Sequence, residues 1–384
     1  MRGSVRRRGN RWYYAYEGPT IDGKRQRIEH VGGSTRDEAE RALHKAIDEF
    51  ERGGVATNLT EMSVADYFDY WHENFVVKTL KYNTQTNYRN IINNYIKPGI
   101  GMYRMKSIGP AAIQKFINEL PTDKLSKHTI EIIVSVLRKG FKMAVFPYQL
   151  IRENPANYVV KPTNNNDDEI TAQAARDKLK IITMDQFKTI LKLVPESNPL
   201  YLPLIISFNT GLRRGEVSGL TWDNIDFDNK TLTVNKQMIM KKNTFDITSP
   251  KTKASYRTIA VGSTLLTTLK RFHTYQKENK VKYGPYYYDS AFVCTKANGK
   301  PITPNVIKYY TGKLSDKLDF PFNFHSLRHT HATMLLENGA KYKEIQQRLG
   351  HSRISTTLDT YSHVTKKMKR DTVDIFENML KNNG

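Results

Sequence analysis

The spacing of apolar residues changes twice along this 384-residue chain, which rules out a single uniform fold. Near the N-terminus, Arg11 to Tyr16 and Arg25 to Val31 read as strands joined through Asp22-Gly23, a pair suited to a tight turn with positive φ. A helix is expected from Thr35, which has the spacing of a capping box with Glu38. Ala39, Ala42, Leu43, Ala46, Ile47 and Phe50 recur on one face, and Gly53-Gly54 ends the pattern. From Met62 to Lys161 the spacing is helical, with stripes at Tyr88, Ile91, Ile92, Tyr95 and Ile96 and at Ile130, Ile133, Val134, Leu137, Phe141 and Val145. Four helices are the simplest count, with starts marked by Ser63, Thr84, Pro110 and Ser126. The pattern lapses over Pro162 to Asp177, whose run Asn164-Asn165-Asn166-Asp167-Asp168-Glu169 reads as a linker. Beyond it the signals mix. Thr183 with Gln186 caps a helix, a second apolar helix runs toward Thr210-Gly211, and Thr231 to Val234 and Tyr256 to Val261 alternate as strands. Helical spacing dominates from Ser263 onward. The expected fold is multidomain α+β. A small three-stranded sheet plus helix occupies 1–56, a helical bundle 62–162, a linker 163–178, and a mixed, mainly α domain with a small antiparallel sheet 179–384.

Charge narrows the partner. The chain carries 60 Lys and Arg against 38 Asp and Glu, a net +22, and a protein of this balance binds polyanions by releasing their condensed counterions. A ribosomal or membrane-surface protein is the alternative, but no low-complexity tail or basic amphipathic anchor accounts for the charge. Residues 1–36 hold nine Lys and Arg against three acids. Arg6, Arg7, Arg8, Arg11, Lys24, Arg25 and Arg27, beside Trp12 and Tyr14, are candidates to enter a DNA groove as a β-ribbon does. A solvated charged face over aromatic core residues is the competing reading, and composition leaves the two even. In the helical segment Lys78, Lys81, Lys127 and Arg138 lie outside the apolar stripes and are candidate phosphate contacts. The longest apolar stretch, around Leu202 to Phe208, is far short of the roughly 20 residues of a membrane-spanning helix. The Arg-rich start lacks a signal peptide's apolar core, so a cytoplasmic, DNA-associated protein is expected. The single cysteine, Cys294, suggests neither an internal disulfide nor structural zinc.

Four patterns in the last domain carry chemistry. In order they are Thr210-Gly211-Leu212-Arg213-Arg214-Gly215-Glu216, then Pro250-Lys251-Thr252-Lys253 with Tyr256-Arg257-Thr258-Ile259, then His325-Ser326-Leu327-Arg328-His329-Thr330, then Leu349-Gly350-His351-Ser352 with Tyr361 ten residues after the histidine. Each alone is weak. His325, His329 and His331 also have spacing compatible with metal ligands, but no acid accompanies them on that face.

Taken together and in this order, the patterns resemble the tyrosine recombinase family. The three-part layout is similar to integrases of phages and conjugative transposons: an arm-binding sheet and helix, a SAM-like helical core-binding domain, and a catalytic domain. The resemblance implies a bacterial site-specific DNA recombinase that integrates and excises a mobile element through a 3′-phosphotyrosyl intermediate and a Holliday junction. It implies Tyr361 as nucleophile and Lys251 as general acid, with Lys253 as the alternative. Arg213 and Arg328 would clamp the charge that grows on the phosphate oxygens. His325, on the face of Arg328, would handle a proton or donate to the phosphate, and His351 would add a donor. Glu216 reads as a structural partner of Arg213.

No cofactor is expected: the covalent link conserves the bond energy, there is no phosphate-binding G-x-x-x-x-G-K-[ST] loop, and the arginines take the part of a metal. Expected partners are double-stranded DNA with core-type and arm-type sites, a homotetramer on DNA, an excisionase and a host DNA-bending protein. An apolar stripe at Val373, Phe376, Met379 and Leu380 would pass between neighbours or pack on its own domain. The competing functions are a type IB topoisomerase-like enzyme and a catalytically silent DNA-binding regulator.

Overall fold

A computed structural model of the chain describes residues 3–21, 24–51, 62–162, 179–250 and 252–361. The chain folds as two compact units, Met1–Asn165 and Asn166–Gly384. The Asp22-Gly23 turn, Lys251, most of the linker and the stripe from Val373 lie outside the described residues.

The first unit opens with an antiparallel sheet of β1 (Gly3–Arg8), β2 (Arg11–Ile21) and β3 (Lys24–Gly33) in that order, followed by α1 (Arg36–Glu51). The capping box forms: the Glu38 carboxylate accepts the Thr35 backbone N–H at 3.2 Å and Thr35 Oγ1 accepts the Glu38 N–H at 3.3 Å. Strand alternation sorts the side chains. A Cβ on Gly3 would meet Leu43 of α1. Gly3 pairs with Tyr16, and Val5 pairs with Tyr14, so this side of the sheet packs on the helix, and the Tyr16 ring meets Phe50 edge-on at 5.7 Å. The other side, open to solvent, carries Arg6, Arg8, Arg11, Tyr13, Arg27 and Glu29.

The helical part keeps the expected count of four, but with unexpected widening. α2 (Val64–Trp71) runs through a π segment, His72–Val76, into α3 (Val77–Thr79). α4 (Tyr82–Ile91) runs through Ile92–Ile96 into α5 (Lys97–Ile100). α6 (Pro110–Asn118) and α7 (Lys127–Val145) complete the set. Ser63 and Ser126 cap as expected, accepting from Asp66 N and Thr129 N. The helix expected to start at Thr84 begins at Tyr82 without a side-chain cap. Gln85 accounts for the earlier start, because its amide binds the Val77 and Leu80 carbonyls and holds the corner closed. Trp71, Phe68 and Phe141 centre the core, and a side chain at Gly140 would collide with Phe68.

In the second unit Thr183 and Gln186 form their capping box at α8 (Met184–Leu193). α9 (Tyr201–Thr210) and α10 (Arg214–Ser218) follow. β4 (Ile225–Asp226), β5 (Thr231–Val234) and β8 (Arg257–Ala260) form the small antiparallel sheet. A hairpin of β6 (Gln237–Lys241) and β7 (Thr244–Thr248) stands apart from it. Five helices close the described chain: α11 (Ser263–Tyr283), α12 (Pro304–Ser315), α13 (Ser326–Glu337), α14 (Tyr342–Leu349) and α15 (Ile354–Tyr361). Leu204, Ile206, Leu232, Ile259, Leu269 and Leu327 belong to the main core, which also takes in Cys294, fully buried. A smaller cluster of Ala332, Leu336, Ile345, Leu349 and Tyr361 joins the last three helices. Among the described residues no helix is long and apolar enough to cross a membrane.

Candidate active site

Two left-handed glycines shape the site. Gly211 ends α9 with φ +69°, and a Cβ there would lie 2.6 Å from Leu349 Cδ2. Gly350 ends α14 with φ +69°, and its Cβ would lie 2.9 Å from the Ala254 carbonyl. Only glycine takes this backbone without strain and leaves room for the approach. Arg213 stands two residues after the first glycine and His351 directly after the second. Arg328, on α13 and 2% exposed, donates Nη1 to the Gly211 carbonyl and Nη2 to the Leu349 carbonyl, both at 2.7 Å. It therefore ties the two turns together.

Beneath the first turn, buried Glu216 holds two arginines. Its carboxylate accepts from the Arg213 backbone N–H and from Arg213 Nη1, each at 2.9 Å, and from Arg257 Nη2 at 2.9 Å. Arg257 also donates Nε to the Arg348 carbonyl at 2.7 Å. Burial alone would raise the Glu216 pKa. The Arg257 hydrogen bond and charge, with Arg213 beside them, overcome this and hold the carboxyl below its ordinary value. The sequence reading of Glu216 as a partner of Arg213 matches this geometry. The sequence pattern around Arg257 gives no sign of this anchoring part, because its partners Glu216 and Arg348 lie far away in the chain.

The histidines divide by their partners. His331 gives Nδ1 to the Phe208 carbonyl at 2.8 Å and accepts Arg348 Nε on Nε2 at 2.9 Å, so both nitrogens are occupied and the ring is neutral. This removes it from any metal set, and among the described residues no group of three or more His, Cys, Asp or Glu is placed to hold a metal ion. His351 Nδ1 pairs with Thr357 Oγ1 at 2.9 Å. His325 keeps solvent-exposed area, yet the protein crowding its ring and the charges of Arg328, Arg213 and Arg214 push its pKa down to about 4. Burial first and neighbouring arginines second do the same to His331 and His351, both pushed to about 4.

These depressed values make stability depend on pH. Between roughly pH 6.5 and 4 the unfolded chain protonates these histidines and the folded chain does not, so stability present above pH 6.5 is lost as the pH falls through this window. For the well-buried His331 alone the loss is on the order of 3 kcal/mol by pH 4. Denaturant unfolding of the DNA-free protein from pH 7.5 to 4.5 should show a falling free energy; a flat profile above pH 5 would contradict the assignment.

Tyr361 ends α15 with its ring fully buried in the small apolar cluster. Its hydroxyl lies 3.0 Å from His329 Nδ1. Burial pushes the phenol up to about 12, and Arg328 and Arg213 only partly offset this. Desolvation of the anion therefore outweighs the arginines, and the histidine in contact with the hydroxyl is His329. Sequence offered one signal for it, its place four residues after His325 on the same helical face. Lys253 opens a 3₁₀ turn, Lys253–Ser255, and the neighbouring Lys251 lies outside the described residues.

The candidate DNA contacts fall into different settings. Arg6 forms an ion pair with Glu29 at 2.6 Å, Arg7 Nε donates to the Gly9 carbonyl at 3.2 Å, and Arg8 sits opposite Arg11. Arg27 Nη2 lies 3.5 Å from Ser4 Oγ, and Lys24 and Arg25 sit in β3. Tyr14 is on the helix-packed side, stacked with Tyr16, and Trp12, opposite Arg7, alternates onto that side. The aromatic residue that shares the open face with the arginines is Tyr13. In the helical part Lys81 and Lys127 are exposed, and Lys78 reaches Asn74 at 3.4 Å. Arg138 is engaged by the carbonyls of Ala156 and Val159, both at 3.1 Å, and so fastens the end of the bundle.

Arg213, His325, Arg328, His351 and Tyr361, from well-separated stretches of chain, lie close enough that the arginines shift the other groups' proton affinities. The model of the phage integrase family matches residues 180–368, and that of the phage integrase N-terminal SAM-like domain matches residues 63–120. The chain belongs to the phage integrase family. It is a tyrosine recombinase, a DNA breaking and rejoining enzyme. A tyrosine recombinase XerC-like protein of Caldanaerobacter subterraneus subsp. tengcongensis is 29% identical over 364 residues, covering 90% of each chain. The ICEBs1 integrase of Bacillus subtilis is 28% identical over 304 residues, covering 78% of this chain and 79% of its own. Among solved structures, the Tn1549 transposon integrase in complex with a circular intermediate DNA superposes with TM-score 0.65 at 22% identity, covering 80% of this chain and 99% of its own.

Proposed function

We propose that this recombinase integrates and excises a mobile element by cutting and rejoining DNA through Tyr361. The observation that carries the reading is that Arg328 ties together the Gly211 and Gly350 turns, which lead into Arg213 and His351, while the helix bearing Arg328 packs in one cluster with Tyr361. In this reading Arg213 and Arg328 clamp the non-bridging phosphate oxygens, His351 and His325 add donors, and Lys251 protonates the leaving 5′-oxygen. The product is a 3′-phosphotyrosyl link and a free 5′-hydroxyl, and no cofactor is consumed when the strand rejoins.

Residues 1–56 serve as the arm-binding domain, with the open sheet face of Arg6, Arg8, Arg11, Tyr13 and Arg27 against DNA. Residues 62–162 bind the core site, 163–178 link, and 179–384 catalyse. Exchange between two duplexes needs four cleavages, so the working form on DNA is a tetramer, assisted by an excisionase and a host DNA-bending protein. The named relatives support the mobile-element reading, one as an integrase and the other as a transposon integrase with circular intermediate DNA.

A plasmid carrying two attachment sites tests the reading. The full chain should yield recombinant circles, and a chain starting at Met62 should still bind the crossover site but lose regulated integration. Relaxation of plasmid without recombinants would instead indicate a topoisomerase, and equal integration by both chains would remove the arm-binding role.

A further inference from the structure

We propose that His329 is the base that takes the Tyr361 proton during strand cleavage. The proposal rests on Tyr361 as the nucleophile. Its geometric basis is direct: His329 Nδ1 is 3.0 Å from the phenol oxygen, within the range of a proton-transferring hydrogen bond. The rings are tilted with centroids 5.9 Å apart. The phenol needs such a partner, because burial holds its proton on at neutral pH, and a buried O–H donates to whatever acceptor is within reach.

His325 is less suited to the task. It stands one helical turn earlier, with its ring edge-on to His329 at 4.7 Å. The arginines around it oppose protonation. It is better placed as a neutral group facing the phosphate and as a wall that fixes the His329 ring.

The step balances. As the Tyr361 oxygen bonds to phosphorus, its O–H bond breaks and the proton passes to Nδ1 of His329. The bond from phosphorus to the 5′-oxygen breaks, and that oxygen takes its proton from the general acid. In rejoining, the 5′-hydroxyl attacks and the departing phenolate recovers the proton from His329. The proton of the attacking 5′-hydroxyl goes back to the general acid, so the full cycle of cleavage and rejoining, rather than either half alone, restores both base and acid without an external proton source.

The test uses the full chain and a nicked DNA substrate carrying its crossover site, from which the cleaved short strand diffuses away. His329→Asn is the informative variant, since its amide can occupy the Nδ1 position and pair with the hydroxyl but cannot take a proton. Cleavage should slow by roughly a hundredfold or more, and the limb of the pH-rate profile that reports the base should disappear. Replacing Tyr361 by 3,5-difluorotyrosine, a more acidic phenol of nearly the same shape, should restore much of the rate in His329→Asn and little in His325→Gln. A His329→Asn rate within threefold of wild type would overturn the proposal. So would an equal effect of fluorination in the wild-type and His329→Asn proteins, which would mark His329 as merely structural. If His329→Asn melts early, His329→Gln assayed below its melting temperature is subject to the same two criteria. An adduct in the wild-type chain at a tyrosine other than Tyr361 would overturn the nucleophile assignment, and this proposal with it, by a separate signature.

Discussion

Tyr361→Phe should bind and synapse DNA as the wild type does, yet form no covalent complex. The ring is part of the apolar cluster with Leu336, Ile345 and Leu349, and phenylalanine fills the same volume, so packing survives. What disappears is the partner of His329 Nδ1 and, on the proposed assignment, the attacking oxygen. Losing that hydrogen bond costs on the order of 0.5–1.5 kcal/mol, a modest loss beside the complete loss of chemistry. On a nicked substrate the wild-type chain should accumulate as a DNA adduct that resists SDS and maps by peptide sequencing to Tyr361. Tyr309, Tyr310 and Tyr342 are the controls that abundance alone would nominate. Cleavage that persists in the phenylalanine variant would refute the assignment.

The second large effect is on stability. Glu216→Ala should destabilise the catalytic domain by about 3–5 kcal/mol, because it leaves Arg213 and Arg257 without their shared counter-charge. The Glu216 and Arg257 side chains are only 3% and 5% exposed, so water screens little of the loss. The damage should reach the site, since Arg257 also holds the Arg348 carbonyl just before the His351 turn. Glu216→Gln should retain part of the hydrogen bonding and lose less. Pairing Glu216→Ala with Arg257→Met should recover a measurable fraction of the loss, because the second change removes the buried charge that the first one strands. Denaturant unfolding of the four proteins gives the coupling; strictly additive losses would mean that the two side chains do not act as a pair.

Local chemistry was legible where it is enforced locally. Ser63, Ser126, Thr183 and Thr35 announce helix starts because a cap needs only its own turn. The β6 and β7 hairpin escaped notice because its turn uses Lys242 at φ +50°, a residue type that gives no turn signal. The third strand of the expected sheet has no position assigned to it in the sequence for a related reason: half of Gly3–Arg8 is arginine, and its strand character comes from pairing with β2. The aromatic stretch of β2 could not declare its faces, since Trp12, Tyr13, Tyr14 and Tyr16 place rings at successive positions. Only α1 packing on one side of the sheet assigned Tyr14 to the interior and Tyr13 to the open face.

By itself, the sequence determined the family, the α+β class and the residue types available for phosphoryl transfer, because order and local spacing survive in one dimension. The tertiary structure decided which groups meet. It made Arg328 a tie between the two glycine turns, gave Glu216 two arginines rather than one, and set His329, not His325, against the Tyr361 hydroxyl. It also buried the Tyr361 ring, so that desolvation of the phenolate outweighs the nearby arginines. Charge can be counted along a chain, but the desolvation that outweighs it depends on what surrounds the ring once Leu336, Ile345 and Leu349 have closed around it.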